Sequence, residues 1–208
     1  MGLVRKKAPQ DPPEEVLPDR TSPETLLSQL DDPDADCRRE AALGLANVPE
    51  AVHDLLARVG TEDDPRVLES ILTTLAAHDT EEVAGSLAVH LASDEAGLRT
   101  AVAAALATMP SSVPAVLPGL LAAPDHDVRV MTAMVLADLQ HPEAHAWLVR
   151  MICEDPHPNV VTGAIDALLP SATADDIPLL TDAVERFPDD PFLRFTVKSA
   201  LPRLTGTP

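Results

Sequence analysis

Few residues of this 208-residue chain have the types and spacing that chemistry needs. His141 and His145 stand four apart in His-Pro-Glu-Ala-His, one helical turn, a spacing at which two imidazoles can share a metal ion. A metal site needs further ligands, and no cysteine or second His-x-x-x-His pair lies nearby in the sequence. His141 also precedes Pro142, which suits a residue that simply enters a helix. His126 and His157 fall in equivalent turns and make a second possible pair. Cys37 and Cys153 are the two thiols; a catalytic thiol needs a positioned base, and nothing nominates one. No phosphate-binding glycine loop, G-x-S-x-G elbow or dinucleotide fingerprint is present. The expectation is no catalytic centre, no cofactor and no bound metal.

The elements that would carry these residues are set by a repeat. Residues 124–139 read PDHDVRVMTAMVLADL, an acidic turn followed by apolar residues at helical spacing. Taking Val128 as an anchor, the same design recurs at Cys37, Val67, Leu98, Val160 and Leu193, with successive spacings of 30, 31, 30, 32 and 33. Eight residues past the anchors sit Leu45, Leu75, Leu106, Leu136, Leu168 and Leu201, and three before them sit Asp34, Asp64, Glu95, Asp125, His157 and Asp190. Two columns in register over six copies mean a repeat protein, in which each unit buries its face only against its neighbours. The expected domain plan is a disordered, proline-rich arm over residues 1–21, one repeat array over residues 22–204 and a short tail at 205–208. The units fall at about 22–48, 49–79, 80–109, 110–140, 141–170 and 171–204.

Each unit reads as helix A, an acidic turn, helix B and a stop. Helix A carries an apolar column, Leu26, Leu56, Leu87, Leu117 and Val149, eleven residues before each anchor; the sixth unit offers Leu179, Leu180 and Val184 instead. The turn acids suit N-caps of helix B, where they meet free N–H groups and the positive end of the dipole. Pro65, Pro158 and Pro191 directly after the capping position fit first helical residues. In helix B the anchor and the residues four, eight and eleven later share one face, so Cys37 should behave as a small core hydrophobe. Pro118 should bend helix A of the fourth unit. All three phenylalanines, Phe187, Phe192 and Phe195, lie in the last unit and should close the end of the core.

Charge removes some function classes. The formal net charge is −19, whereas nucleic-acid affinity comes largely from cations displacing counterions, and aromatics for base stacking are only 2% of the chain. Anionic membranes are disfavoured for the same reason, and no apolar run approaches a membrane span. A protein partner with a basic surface is the natural complement. The cysteines, four units apart, should lie far beyond the ~7 Å a disulfide needs, so both are expected free in a reducing cytoplasm.

The pattern D-x-x-V-R-x-x-x-x-x-x-L resembles HEAT-like repeats, in the short form seen in phycobilisome lyase subunits and their relatives. Residues 125–129 (DHDVR), 95–99 (EAGLR), 34–38 and the run 40–45 (EAALGL) carry the match. The resemblance implies an all-α, right-handed solenoid of about six helical hairpins, with B helices lining a concave surface. It also implies that the arginine after each anchor ties a turn acid of a neighbouring unit. Arg38, Arg99, Arg129 and Arg194 supply it, but Leu68 and Val161 interrupt that ladder. The paired His-Glu dipeptides of HEAT-like hydroxylases are absent, and the charge opposes the basic face of HEAT-like DNA glycosylases.

The exposed side of the B helices is then the candidate binding surface: Arg39, Glu69, Thr73, Thr100, Val130, Met134, Ala137, Thr162, Asp166 and Leu169. Val130, Met134, Ala137 and Leu169 are apolar where polar residues would be usual, which marks either an interface or residues that superhelical twist buries. The expected function is a non-catalytic scaffold or adaptor that binds a helix, peptide or basic surface of another protein through its concave face. The alternative implied by the resemblance is an accessory factor that holds a client protein during cofactor attachment.

Overall fold

A computed structural model describes residues 21–205. The arm expected over residues 1–21 lies outside them apart from Thr21, as does the tail beyond Thr205. The described chain is all helical. The first helix of each hairpin is α1 (Pro23–Gln29), α3 (Val52–Val59), α5 (Glu81–Ala88), α7 (Val113–Leu121), α9 (Ala144–Glu154) or α11 (Ile177–Arg186). The second is α2 (Ala35–Gly44), α4 (Pro65–Ala76), α6 (Ala96–Ala107), α8 (His126–Asp138), α10 (Pro158–Leu168) or α12 (Pro191–Leu204). Each second helix packs on the next in sequence, from α2 on α4 through to α10 on α12. This nearest-neighbour stacking is the geometry of a solenoid.

The turn acids start the B helices as their chemistry dictates. Asp34, Asp64 and Asp125 each accept the N–H two residues ahead, at 3.0, 2.9 and 2.9 Å. Asp190 accepts two, from Phe192 at 3.0 Å and Leu193 at 2.8 Å. Glu95 stands at the same position without a side-chain cap bond, and the Ser93 hydroxyl accepts the Glu95 N–H instead, at 3.2 Å. His157 caps α10 through Nδ1, which accepts the Asn159 N–H at 3.2 Å. A carboxylate there would also meet the helix dipole favourably, so His157→Asp should stabilise the fold by ~0.3–1 kcal/mol in urea melts. A loss of stability would mean that the His157 ring, stacked 3.9 Å from His126, contributes more than the cap charge.

The core is a continuous stripe. Val67, Val160 and Leu193 are fully buried, as are Leu45, Leu75, Leu106 and Leu168, while Leu98, Val128 and Leu136 are nearly so. Two end positions differ from expectation. Cys37 and Leu201 are only half-buried, because the first and last units each lack a neighbour on one side. The helix A column also slips by one residue in two units: Leu55 and Leu148 are buried, whereas Leu56 and Val149 are half-buried. Counting back across a turn fixes helical phase poorly, and one residue of error is a rotation of ~100°. In the sixth unit Leu180 takes the place. α7 continues through Pro118, whose carbonyl still accepts the Ala122 N–H at 3.2 Å.

The phenylalanines do not close the core. Phe192 and Phe195 are 62% and 64% exposed. Leu193, Thr196, Val197 and Ala200 form the buried stripe of α12, which leaves Phe192 and Phe195 on its outer side. Phe187 is half-buried, with the Arg186 guanidinium 4.9 Å above its ring.

Polar ties between units sit along the turn edge. Arg38 holds Glu62 through two bonds, 3.0 and 2.7 Å, and Arg129 holds Asp155 through two, 2.7 and 3.2 Å. Leu68 and Val161 interrupt the ladder, and it is thinner still than the sequence implied. Arg99 donates to the Ser93 carbonyl at 2.6 Å and Arg194 to that of Pro188, neither reaching an acid. Near the end of the array Arg186 supplies a tie of another kind, donating to the carbonyls of Ile152, Cys153 and Asp155. On the opposite edge Asp79, at φ 39°, accepts the N–H groups of Ser111 and Ser112 at 3.0 Å each and the Ser112 hydroxyl at 2.7 Å.

Candidate partner-binding face

The outward side of the B helices is built from residues two, six and nine past each anchor, about opposite the buried stripe. Arg39, Glu69, Thr73, Thr100, Met134, Ala137 and Asp166 are exposed there, and Val130 and Leu169 are half-buried. Thr162 is not available at this surface. It is 3% exposed, and its hydroxyl donates to the Pro158 carbonyl at 2.9 Å. That bond inside α10 lets the hydroxyl be buried without an unpaired donor. Desolvation pushes the Asp166 carboxyl above the usual carboxylate range.

One large groove opens on this face, about 1000 Å³ between α4 and α6. Its lining includes Leu72 and Ala76 from α4 and Ala101, Ala104 and Ala105 from α6, with Glu69, Thr73 and Thr100 also at the surface. Glu69, Thr73 and Thr100 are thus brought to one site. The apolar patch singled out in the sequence, Val130, Met134, Ala137 and Leu169, lies instead on α8 and beside α10. Those helices pack closely: a Cβ on Gly163 would stand 3.6 Å from Val130 Cγ1. The groove instead follows the small residues of α6, whose sequence AGLRTAVAAALA leaves space beside α4. Gly97, in the same lining, has nothing within 4 Å of where its Cβ would be. That run of small residues was the available signal.

The groove has an acidic end. The turns that lead into α4 and α6 carry Asp63, Asp64, Asp94 and Glu95, next in sequence to the lining residues Pro65 and Ala96, and Glu69 lies one turn further in. Arg66 is committed to Asp64 and Asp36, both at 3.1 Å. Its guanidinium and its own N–H hold the Asp64 carboxyl below the usual range. Among the described residues no cationic side chain pairs with Asp63, Glu69, Asp94 or Glu95.

The other candidates are occupied by structural work. His141 Nδ1 accepts the Glu143 N–H at 3.1 Å, and its ring stacks on Trp147 at 4.6 Å. His145 Nε2 lies 3.3 Å from Asp176, whose carboxylate also accepts the Thr173 N–H at 2.8 Å. The two imidazoles therefore serve different partners. His126 sits between Asp125 and Asp127 and stacks on the capping ring of His157. Among the described residues no group of three or more His, Cys, Asp and Glu is placed to hold a metal ion. Cys37 and Cys153 are free thiols. Desolvation, then the Asp32 and Asp34 carboxylates, push the Cys37 thiol up, opposite to the shift a reactive thiolate needs. No described helix is long and apolar enough to cross a membrane.

A family model for HEAT repeats matches residues 23–107 and 113–201. No curated protein sequence matches the chain. Among solved structures, one crystal structure of an engineered protein is 22% identical, covering 89% of this chain and 97% of its own, at TM-score 0.37. A second engineered protein is 20% identical, covering 88% and 98%, at TM-score 0.41. The complex of CpcE and CpcF of phycocyanin lyase from Nostoc sp. PCC7120 is 14% identical, covering 94% and 100%, at TM-score 0.38.

Proposed function

The chain belongs to the HEAT-repeat family, and we propose that it is a non-catalytic scaffold or adaptor holding another protein against the outward face of its B helices. The observation that carries this reading is the 1000 Å³ groove between α4 and α6, an apolar surface of a size that binding sites use. The same face presents Leu43 at 42%, Met134 at 45% and Phe195 at 64% exposure, on α2, α8 and α12. Apolar anchors spaced along a repeat surface suit one elongated partner better than several small ones. Arg39, Glu69, Thr73, Thr100, Val130, Met134, Ala137, Asp166 and Leu169 are the contact residues on this reading, and a cytoplasmic setting fits the two free thiols.

Affinity purification with mass spectrometry tests it, comparing the native chain with Met134→Asp and Glu69→Arg. Each substitution lies at an exposed position and should leave the melting temperature nearly unchanged. A partner captured at fixed stoichiometry and lost from either variant supports the scaffold. Capture restricted to the cofactor-free form of a client would replace the adaptor reading with a maturation role, and capture unaltered by both substitutions would remove the B-helix face from consideration.

A further inference from the structure

We propose that the groove between α4 and α6 seats an amphipathic α-helix of a partner protein, with bulky aliphatic anchors on one face and lysine or arginine at the end that meets the α4–α6 turns. The proposal rests on the scaffold reading and gives it a place and an occupant. Shape supplies the anchors. The groove is lined by side chains too small to fill it, Ala76, Ala101, Ala104 and Ala105 beside Leu72, so the missing volume must come from the partner. Leucine or phenylalanine at helical i, i+4 and i+7 positions provides it.

Backbone chemistry selects a helix over an extended peptide. Both walls are helices, whose interior N–H and C=O groups are already paired within the wall, so the groove has no sheet edge to offer. The Thr73 and Thr108 hydroxyls donate their protons to the Glu69 and Ala105 carbonyls, at 2.8 and 2.7 Å, which leaves only a few side-chain oxygens, with Thr100 and Glu69, as polar groups in an otherwise apolar lining. An extended chain would bury most of its own amides there without partners, at a cost of order 1–3 kcal/mol for each. A helix brings its backbone bonds with it. Charge sets the direction. Asp63, Asp94 and Glu95 stand in the turns that lead into the two helices and Glu69 lines the groove one turn further in; among the described residues none of the four pairs with a cation, Arg66 being held by Asp64 and Asp36 and Arg99 by the Ser93 carbonyl. A cationic end steered there gains on-rate and fixes orientation.

The probe is a synthetic amphipathic helix of about 18 residues, long enough to become helical when seated, with leucines at that spacing and lysines at one end. Fluorescence anisotropy should show saturable one-to-one binding that weakens as salt rises. Ala104→Trp, which fills the groove, should weaken it at least tenfold, and Gly97→Leu, pointing into open space, serves where the first variant disturbs folding. A peptide with glutamate in place of lysine should bind at least tenfold more weakly, and one interrupted by proline should not saturate. Unchanged binding in both filled-groove variants, or equal binding of the proline peptide, overturns the proposal. If Met134→Asp abolishes binding while Ala104→Trp does not, this site fails and the scaffold reading survives; a native partner retained by every variant sinks both. Two further outcomes overturn the assigned occupant. A change in sedimentation on Ala104→Trp would give the groove to a second copy of this chain, and binding seen only after deletion of residues 1–20 would give it to the chain's own Arg5-Lys6-Lys7 stretch.

Discussion

Leu106→Ala is expected to lower the free energy of unfolding by ~2–5 kcal/mol. Leu106 is fully buried at the position eight past its anchor, on a helix that packs against α5 and between α4 and α8. Truncation removes transfer energy and leaves a cavity that neighbouring backbone, fixed by its own repeats, cannot collapse. Ala104→Ser, two residues away on the exposed side of the same helix, should be nearly neutral. Because each unit contacts only its neighbours, hydrogen exchange should accelerate most in α4, α5, α6 and α8 and least in α12. Equal costs for the two substitutions in urea melts would mean that the helical faces are misassigned.

Glu62→Ala should be of comparable size, ~1–3 kcal/mol, because it takes the shared carboxylate partner from Arg38, Arg58 and the Asp64 N–H. The Glu62 side chain is 1% exposed and receives Arg38 at 2.7 Å and Arg58 at 3.2 Å, while Arg58 also reaches Asp31 of the first turn at 2.6 Å. It further accepts the Asp64 N–H at 3.0 Å, so its loss loosens the turn that starts α4. Arg38→Met together with Glu62→Ala should cost less than the sum of the single changes. Burial pushes the Glu62 carboxyl up, but the bonds from Arg38, the Asp64 N–H and Arg58 outweigh it and hold the group below the usual range. A carboxyl lowered on folding adds stability that is complete above its unfolded value, about pH 4.3, and is lost as pH falls through the folded one. The native chain should therefore lose stability on acidification below about pH 4.3, and Glu62→Ala should flatten part of that slope.

The repeat, its period and the polarity of its helices were legible because they depend on local rules. An aspartate at the N-cap position of a helical stripe accepts the free N–H groups of that helix by a local rule, and Asp34, Asp64, Asp125 and Asp190 do so here. The buried leucines followed from the same periodicity, which holds inside one helix without reference to anything else. Helix A was less certain because its phase was counted across a turn, which is why Leu55 and Leu148 were missed by one residue. The end effects also lay beyond a local rule. Cys37, Leu201, Phe192 and Phe195 are exposed or half-exposed according to whether a neighbouring unit exists to cover them.

By itself the sequence determined an acidic all-helical repeat array and the buried faces of most of its B helices. Tertiary structure alone decided that α4 and α6 stand apart while α8 and α10 close up. It likewise decided that Glu62 gathers two arginines and that Thr162 turns inward. Periodicity reports which side of a helix is apolar. The distance between two helices depends on the summed volumes and ties of every layer in the stack, and no single stretch of sequence contains that sum.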